Sequence, residues 1–376
     1  MTEQEKFALI PKEHLPLAMM LQQFQLSELV GEPQTGKWYR LRADHTICAN
    51  GEDYHACFKV GTENALMILL YGGGVSVNAY TAAHPNSAIK MGMPSFYCED
   101  VFLVADVGIV KGIASEREDN AFRNWSVLAV PYATGDFHCG TADFEYKTDD
   151  GEKRRLHHHG YCNLMALLDR MKQYVPAPDK LLITGFSAGG FGTALLTDDI
   201  VQAFPQCNDI TCLVDSALME YDWRNVAVNV WGTPVHIADR LHTRDITGDS
   251  LISLHDRHQN IKIGFICTVR DEALSQFQNF LDGGKLEGST EAGDRFTGML
   301  RNFVMRLQNE IPGISIFLHD LPAEGPFHLT AHCIIAGDAY FTQEQDGIKL
   351  TDWIGNLMNE TAQFVGLGLL KTAADQ

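Results

Sequence analysis

Apolar residues along this chain come in short, turn-bounded runs, separated by stretches in which they recur every three or four positions. "ACFKVG" from Ala56 and "ALMILLYGGG" from Ala65 are the first two runs. The second has no polar alternation, which suits a strand covered on both faces. "VFLVADVGIV" from Val101 and "WSVLAVPY" from Trp125 predict two more strands. "EYKTDDGEKRRL" predicts an exposed, charged hairpin turning at Asp150-Gly151. In "YCNLMALLDRMKQY" the residues Leu164, Leu167, Leu168 and Met171 share one helical stripe.

The alternation then becomes regular. A strand "KLLITGF" is followed by a helix over 188–204, a strand "TCLVDSAL", and a Trp-bearing stretch over 220–260. After these come the strand "IKIGFICTV", a helix containing "MLRNFVMRL", the strand "ISIFLHDL" and a helix around "DWIGNLM". In the middle helix Phe303, Val304 and Leu307 form the buried side. Strands alternating with helices predict an α/β fold with a mostly parallel central sheet and helices on both faces. No linker divides the chain, so a single domain over 1–376 is expected. Residues 1–36, ending in the turn signal "GEPQTGK", form an N-terminal extension, and 217–260 are expected as a cap insertion.

Composition narrows the function. The chain is 45% hydrophobic and 20% charged, with ample material for a large core. A net charge of −19 argues against nucleic acid and anionic membrane surfaces, both of which demand a basic face. No apolar run approaches the roughly 20 residues of a membrane span. The opening "MTEQEKFALIPKEHLPLAMM" lacks a basic segment followed by an unbroken apolar one, so a cytoplasmic location is expected. The nine cysteines include no C-x-x-C pair and read mostly as buried thiols, although Cys207 and Cys212 are close enough to pair in an oxidising compartment.

The chemistry concentrates in "KLLITGFSAGGFG". Gly185-Phe186-Ser187-Ala188-Gly189 fits G-x-S-x-G, and it stands after a strand and before a helix, where that motif presents a nucleophile. Small flanking residues let strand and helix backbones approach in a strained turn. The helix N-terminus aims N–H groups and a positive dipole end at a developing oxyanion. "YGGGV" after an early buried strand supplies the second half of an oxyanion hole, so the expected donors are the N–H groups of Gly74, Val75 and Ala188. No G-K-[ST] follows those glycines and no G-x-G-x-x-G opens a helix, so neither a nucleotide nor another cofactor is expected.

A serine hydroxyl needs a base, and the base needs a carboxylate. In the α/β-hydrolase order, Ser, acid, then His, Asp271 lies just beyond the strand "IKIGFICTV". Asp215, at the end of "TCLVD", comes one strand too early and reads as structural. The loop after "ISIFLHDL" offers His328 and His332, which position alone does not separate, while His319 within the strand reads as core.

These residues resemble the pectin acetylesterase family of serine carboxylesterases. The resemblance runs in register from about Ile47 to Ala217 and more thinly to His332. "ICANGEDY" is similar to the family's Cys-x-Asn-Gly start, "LLYGGGV" to its Gly-Gly-Gly-Trp segment, and "NAFRNWSVLAVPYATGDFHCG" to its Asn-Trp and Tyr-Cys-x-Gly-Asp-x-His-x-Gly block. "HHGYCN", "ITGFSAGGFG" and "CLVDSA" follow in the expected order; "VRDEALSQFQN" resembles the acid segment and "LTAHC" the base segment. The resemblance implies an α/β-hydrolase-like fold with Ser187 as nucleophile, Asp271 as acid and His332, rather than His328, as base. It also implies an O-acetyl or short-acyl ester substrate on a small molecule or carbohydrate, and secretion as the alternative location. Val75 stands where the family has Trp, and Ala133 replaces a Cys, which removes secreted-type disulfides and alters a pocket wall. A non-catalytic binding protein, a deacylase of longer acyl chains and an acyltransferase share the same features.

Asp136, Phe137 and His138 in "ATGDFHCG" are expected to border the site and contact substrate. The run His157-His158-His159 invites a metal reading, but successive residues do not face one point on a helix or strand, and ligand spacing to other His or Cys is absent, so no metal is expected. Trp223 and Trp231 are candidates for either a lid or the core. "HDRH" from His255 reads as surface.

Overall fold

In a computed structural model of the chain, residues 3–371 are described apart from 13, 90, 91, 93 and 362. A nine-stranded sheet runs through the centre of the molecule. We number its strands in chain order as β1 (Trp38–Leu41), β2 (Ala56–Lys59), β3 (Ala65–Leu70), β4 (Ser126–Val130), β5 (Lys180–Phe186), β6 (Asp209–Asp215), β7 (Lys262–Thr268), β8 (Ser315–His319) and β9 (Phe364–Val365). Their spatial order is β1-β2-β4-β3-β5-β6-β7-β8-β9. β1 and β2 are antiparallel to their neighbours, and from β4 onward every pair is parallel. The apolar runs explain why: all six residues of β3 are buried, and β5, β6 and β7 are buried along nearly their whole length. Strands of that kind need helices on both faces.

The order reverses at β3. The chain leaves β3 toward β4 on one side, whereas β5 and all later strands lie on the other. Such a reversal opens a crevice beyond the strand C-termini, where ligands bind in open α/β sheets. The glycine run follows β3 and Ser187 follows β5. These two strands are paired in register to Leu70 opposite Gly185, so the two loops start side by side.

Most of the expected elements are present. The hairpin pairs Ala142–Lys147 with Lys153–His158 around the expected turn. The helix Gly160–Met171 buries its Leu164, Leu167, Leu168 and Met171 stripe. The helix Thr290–Glu310 buries Phe303, Val304 and Leu307.

"VFLVADVGIV" is a correction: it forms turns and a short 3-10 helix, Ala105–Val107, rather than a strand. Val101, Phe102, Leu103 and Ile109 are buried while Val104 and Val110 are exposed, and Asp106 is buried too: its carboxylate accepts from Arg40 Nε at 2.8 Å and Leu26 N at 3.0 Å and pairs with His55 Nε2 at 3.0 Å. Those bonds hold the segment as a packed loop, and the apolar count alone misses them. Residues 3–36 contribute helices Glu3–Leu9 and Leu15–Gln22, tied to the body through Lys6 to Glu52 and Arg40 to Glu3.

Over 217–260, Trp223 and Trp231 are both fully buried, which settles them as core. The helix Ile246–Arg257 lies against the helix after Ser187, where Asp198 takes Arg240, Arg257 and His258 together. His258 Nε2 thus bonds to Asp198 Oδ1 at 2.5 Å while staying partly exposed, within a "HDRH" segment that reads as surface in the sequence.

Candidate active site

Ser187 sits at the join of β5 and the helix Ala188–Gln202, with φ 55° and ψ −127°. A non-glycine residue rarely takes such a conformation, and it costs on the order of 1–3 kcal/mol. Packing holds it there. Ser187 N donates to Asp215 O at 3.0 Å, and a Cβ on Gly189 would collide with the Leu70 carbonyl. The small residues therefore let a helix start directly against the sheet.

The glycine run meets the serine from the other side. A Cβ on Gly72 would fall 2.5 Å from Ser187 Cβ, so no side chain fits at that position. Of the expected oxyanion donors, Val75 is a correction: its N–H already donates to Phe96 O at 2.6 Å. That bond belongs to a two-bond bridge between Gly74 and Tyr97, completed by Cys98 N to Gly73 O at 2.9 Å. The N–H groups of Gly73, Gly74 and Ala188 have no backbone acceptor among the described residues. Gly73 N–H, unlike Val75 N–H, is therefore left without a backbone acceptor among them.

Asp271 follows β7 and is fully buried as the N-cap of the helix Glu272–Leu281. Its Oδ1 accepts from Ala273 N at 3.0 Å and Leu274 N at 2.8 Å, while Oδ2 accepts from His332 Nδ1 at 2.7 Å. A parallel bridge from Asp271 to Thr330 holds the histidine loop alongside. His332 Nε2 is buried without a hydrogen-bond partner. Burial lowers the His332 pKa, but the charge and hydrogen bond of Asp271, with Asp215 and Glu272 beyond it, outweigh that and leave the pKa raised. His328, the alternative from sequence, is exposed on the same loop and its carbonyl accepts from Arg270 Nε. His319 is buried in β8 as expected, its pKa lowered by burial to about 4.

Asp215 has another task. Its Oδ2 accepts from Ile335 N at 3.0 Å and its Oδ1 from Ser216 Oγ at 2.9 Å, so it fastens the segment just after His332. Burial raises its pKa to about 6, against the opposing effect of those bonds.

Ser187 and His332 line one cavity of about 470 Å³, together with Gly72, Gly73, Gly74, Val75 and Ala188. The remainder of its wall is almost entirely apolar: Phe137, Phe186, Phe191, Met219, Leu274 and Phe277. Phe137 stacks on Phe191 at 4.2 Å between ring centres and is backed by Trp223 and Trp231. Met219, Leu274 and Phe277 escaped the sequence reading; the last two stand three residues apart in "DEALSQFQN", as one helical face requires.

Phe137 therefore borders the site, but Asp136 and His138 do not. Asp136 is fully buried and accepts from Thr134 Oγ1 and from the N–H groups of His138, Gly140 and Gly160. His138 Nε2 donates to Tyr71 O at 3.0 Å, and burial lowers its pKa to about 4. Both groups are consumed in shaping the loop, which leaves neither free for substrate. All nine cysteines, Cys207 and Cys212 included, are unpaired.

A family model matches residues 44–226. It is that of the pectinacetylesterases. The resemblance read from the spaced motifs therefore stands, and the matched span holds the glycine run, Ser187 and Asp215 while Asp271 and His332 lie beyond it. Among solved structures, the chain is similar to the Wnt deacylase Notum from Drosophila in two crystal forms. The TM-scores are 0.61 and 0.58 at 16% and 15% identity, each alignment covering 86% of this chain and 93% of that one. At that identity the likeness speaks for the α/β-hydrolase-like fold. Among the described residues no helix is long and apolar enough to cross a membrane.

Proposed function

We propose that this chain is a serine carboxylesterase in which Ser187 attacks an ester carbonyl. The observation that carries the reading is the Asp271–His332 pair at 2.7 Å, turned toward a cavity that also holds Ser187 in a strained conformation. In the reaction His332 Nε2 takes the serine proton as Oγ bonds to the carbonyl carbon. Asp271 fixes the imidazole tautomer and stabilises its charge. N–H groups of Gly73, Gly74 and Ala188 receive the oxyanion. The imidazolium returns its proton to the leaving alcohol, and water, activated by the same histidine, releases the acid from the acyl-enzyme.

The family likeness points to O-acyl esters, acetyl esters on carbohydrate among them. The cavity favours a longer acyl group. An acetyl has two carbons, whereas this wall is apolar on most sides and its volume lies in the range of drug-sized ligand sites, ~300–1,000 Å³. A reducing compartment goes with this reading, since all nine cysteines are free thiols.

The test is hydrolysis of a series of p-nitrophenyl esters from acetate to palmitate by wild type and Ser187→Ala, with a fluorophosphonate label located by mass spectrometry. Label on Ser187 and turnover lost in the variant are expected. Turnover that survives Ser187→Ala, or label on another residue, would overturn the assignment.

A further inference from the structure

On the outer side of the hairpin the pleat gathers three ligand-type side chains. Asp143 and His157 stand directly opposite in the Ala142–Lys147 and Lys153–His158 pairing. His157 Nδ1 lies 2.7 Å and His159 Nε2 2.9 Å from Asp143 Oδ1, and one ligand atom from each residue falls within 4.8 Å of the other two. Neighbours in a strand face opposite ways, but the first and third of three face the same way. His158 points inward, where its Nδ1 donates to Thr134 O at 2.8 Å, while His157 on the strand and His159, between the strand and the following helix, both reach Asp143. The cross-strand aspartate is what the one-dimensional reading of three histidines lacked.

We propose that Asp143, His157 and His159 form a binding site for one divalent transition-metal ion, with Zn²⁺ as the type case. Two imidazoles and a carboxylate suit Zn²⁺, Co²⁺, Ni²⁺ or Cu²⁺ better than Mg²⁺ or Ca²⁺, which prefer all-oxygen sets. Ligand bonds of ~2.0–2.2 Å around a tetrahedral ion put donor atoms ~3.3–3.5 Å apart. The present separations of 2.7 and 2.9 Å approach that, so the carboxylate needs to withdraw by roughly half an ångström. Both histidines are only partly covered and the aspartate is at the surface, so an ion has access, and a fourth position is left to water. One feature opposes binding: Arg155 Nη1 lies 3.4 Å from Asp143 Oδ2 and brings a positive charge to the same carboxylate.

The ion would act as a staple. Asp143 belongs to one hairpin strand, His157 to the other, and His159 is the residue that leads into the helix Gly160–Met171. Holding all three fixes how the hairpin enters that helix.

The experiment uses the full chain, stripped with EDTA and desalted, then titrated with zinc sulfate by calorimetry and with cobalt chloride by visible absorption. Expected are one ion per chain, d–d bands of a low-coordinate Co²⁺ site and a rise in Tm with zinc. In His157→Ala/His159→Ala the affinity should fall by roughly tenfold or more, since even indirect partners of a metal site cost that much. The zinc-dependent rise in Tm should vanish with it, and Arg155→Ala should bind zinc more tightly. Circular dichroism checks that each variant is folded. Should the double variant not fold, Asp143→Asn, which keeps the side-chain shape, carries the test with the same expected loss. Wild type that binds zinc no more tightly than about 100 µM would overturn the proposal. So would calorimetric and cobalt signals unchanged in the ligand variants, which would place the ion elsewhere among the fifteen histidines.

Discussion

Asp271 holds His332 with one carboxylate oxygen and the start of its own helix with the other: Oδ2 accepts from the imidazole at 2.7 Å, Oδ1 from the amides of Ala273 and Leu274. The cap fixes the carboxylate, and the carboxylate fixes the ring. Asp271→Asn keeps the cap acceptor but presents an amide N–H to the imidazole, favouring the wrong tautomer. With Asp271 as the triad acid, kcat should drop by about 10⁴-fold while the fold persists. A near-wild-type kcat in a folded Asp271→Asn protein would remove Asp271 from the mechanism.

The pH profile follows from the same pair. His332 must be neutral to accept a proton, and its folded pKa is raised above 6.5 because Asp271 outweighs burial. kcat/KM should therefore be full at high pH and fall as pH drops through a value above 6.5. Removing the charge in Asp271→Asn should move whatever limb remains to lower pH. Stopped assays between about pH 5 and 9 measure both; a wild-type limb below 6.5 would contradict the environment described for His332.

How much of this was legible beforehand differs between residues for physical reasons. β3, β5, β6 and β7 were plain because a strand buried on both faces must be apolar throughout. Ser187 was plain because its strained turn leaves a mark in the neighbouring glycines. His332 was separable from His328 only through the family resemblance, since both occupy one loop and the burial that distinguishes them is tertiary. That Val75 N–H is already bonded was hidden, because its acceptor Phe96 lies on a separate segment just before Tyr97. "VFLVADVGIV" misled because the same apolar count serves a strand or a packed loop, and Arg40 and His55, which decide for the loop around Asp106, lie elsewhere in the chain. The wall residue Met219 follows β6 with no periodic signal of its own.

Gly72→Ala tests the close approach of the two loops. The added methyl would sit 2.5 Å from Ser187 Cβ and 2.7 Å from Phe186 O, so strand ends must part to admit it. A displacement of about 1 Å at a reacting group costs on the order of 10²-fold. Loss of kcat on that scale is expected with a smaller loss of binding. Retention of full turnover would mean that the glycine serves another purpose.

Asp215 separates a structural from a catalytic carboxylate. Asp215→Ala leaves the buried Ile335 N–H without its acceptor, at a cost of about 1–3 kcal/mol in unfolding free energy. Asp215→Asn retains an acceptor and should keep most of the activity. The folded pKa of Asp215 is raised from 3.8 to about 6, so between those values the native state binds the proton more tightly than the unfolded chain. Its contribution is therefore lost as pH rises through that window. Urea unfolding across the window should show wild type losing stability relative to Asp215→Asn, and parallel curves would argue against a buried, titrating Asp215.

The apolar wall of the cavity makes the last prediction. Each methylene buried against Phe191, Met219, Leu274 or Phe277 is worth ~0.8 kcal/mol, or about fourfold in kcat/KM if the gain is carried into the transition state. kcat/KM should thus climb with acyl length until the cavity is filled and then level or fall. Met219→Trp occupies part of that space and should shift the optimum toward shorter chains with little effect on the acetyl ester. Phe277→Ala removes wall area and should flatten the climb. The chain-length series on both variants distinguishes a cavity that binds the acyl group from one that receives the alcohol side: in the latter case Met219→Trp would leave the acyl optimum where it is and change the preference among alcohols instead.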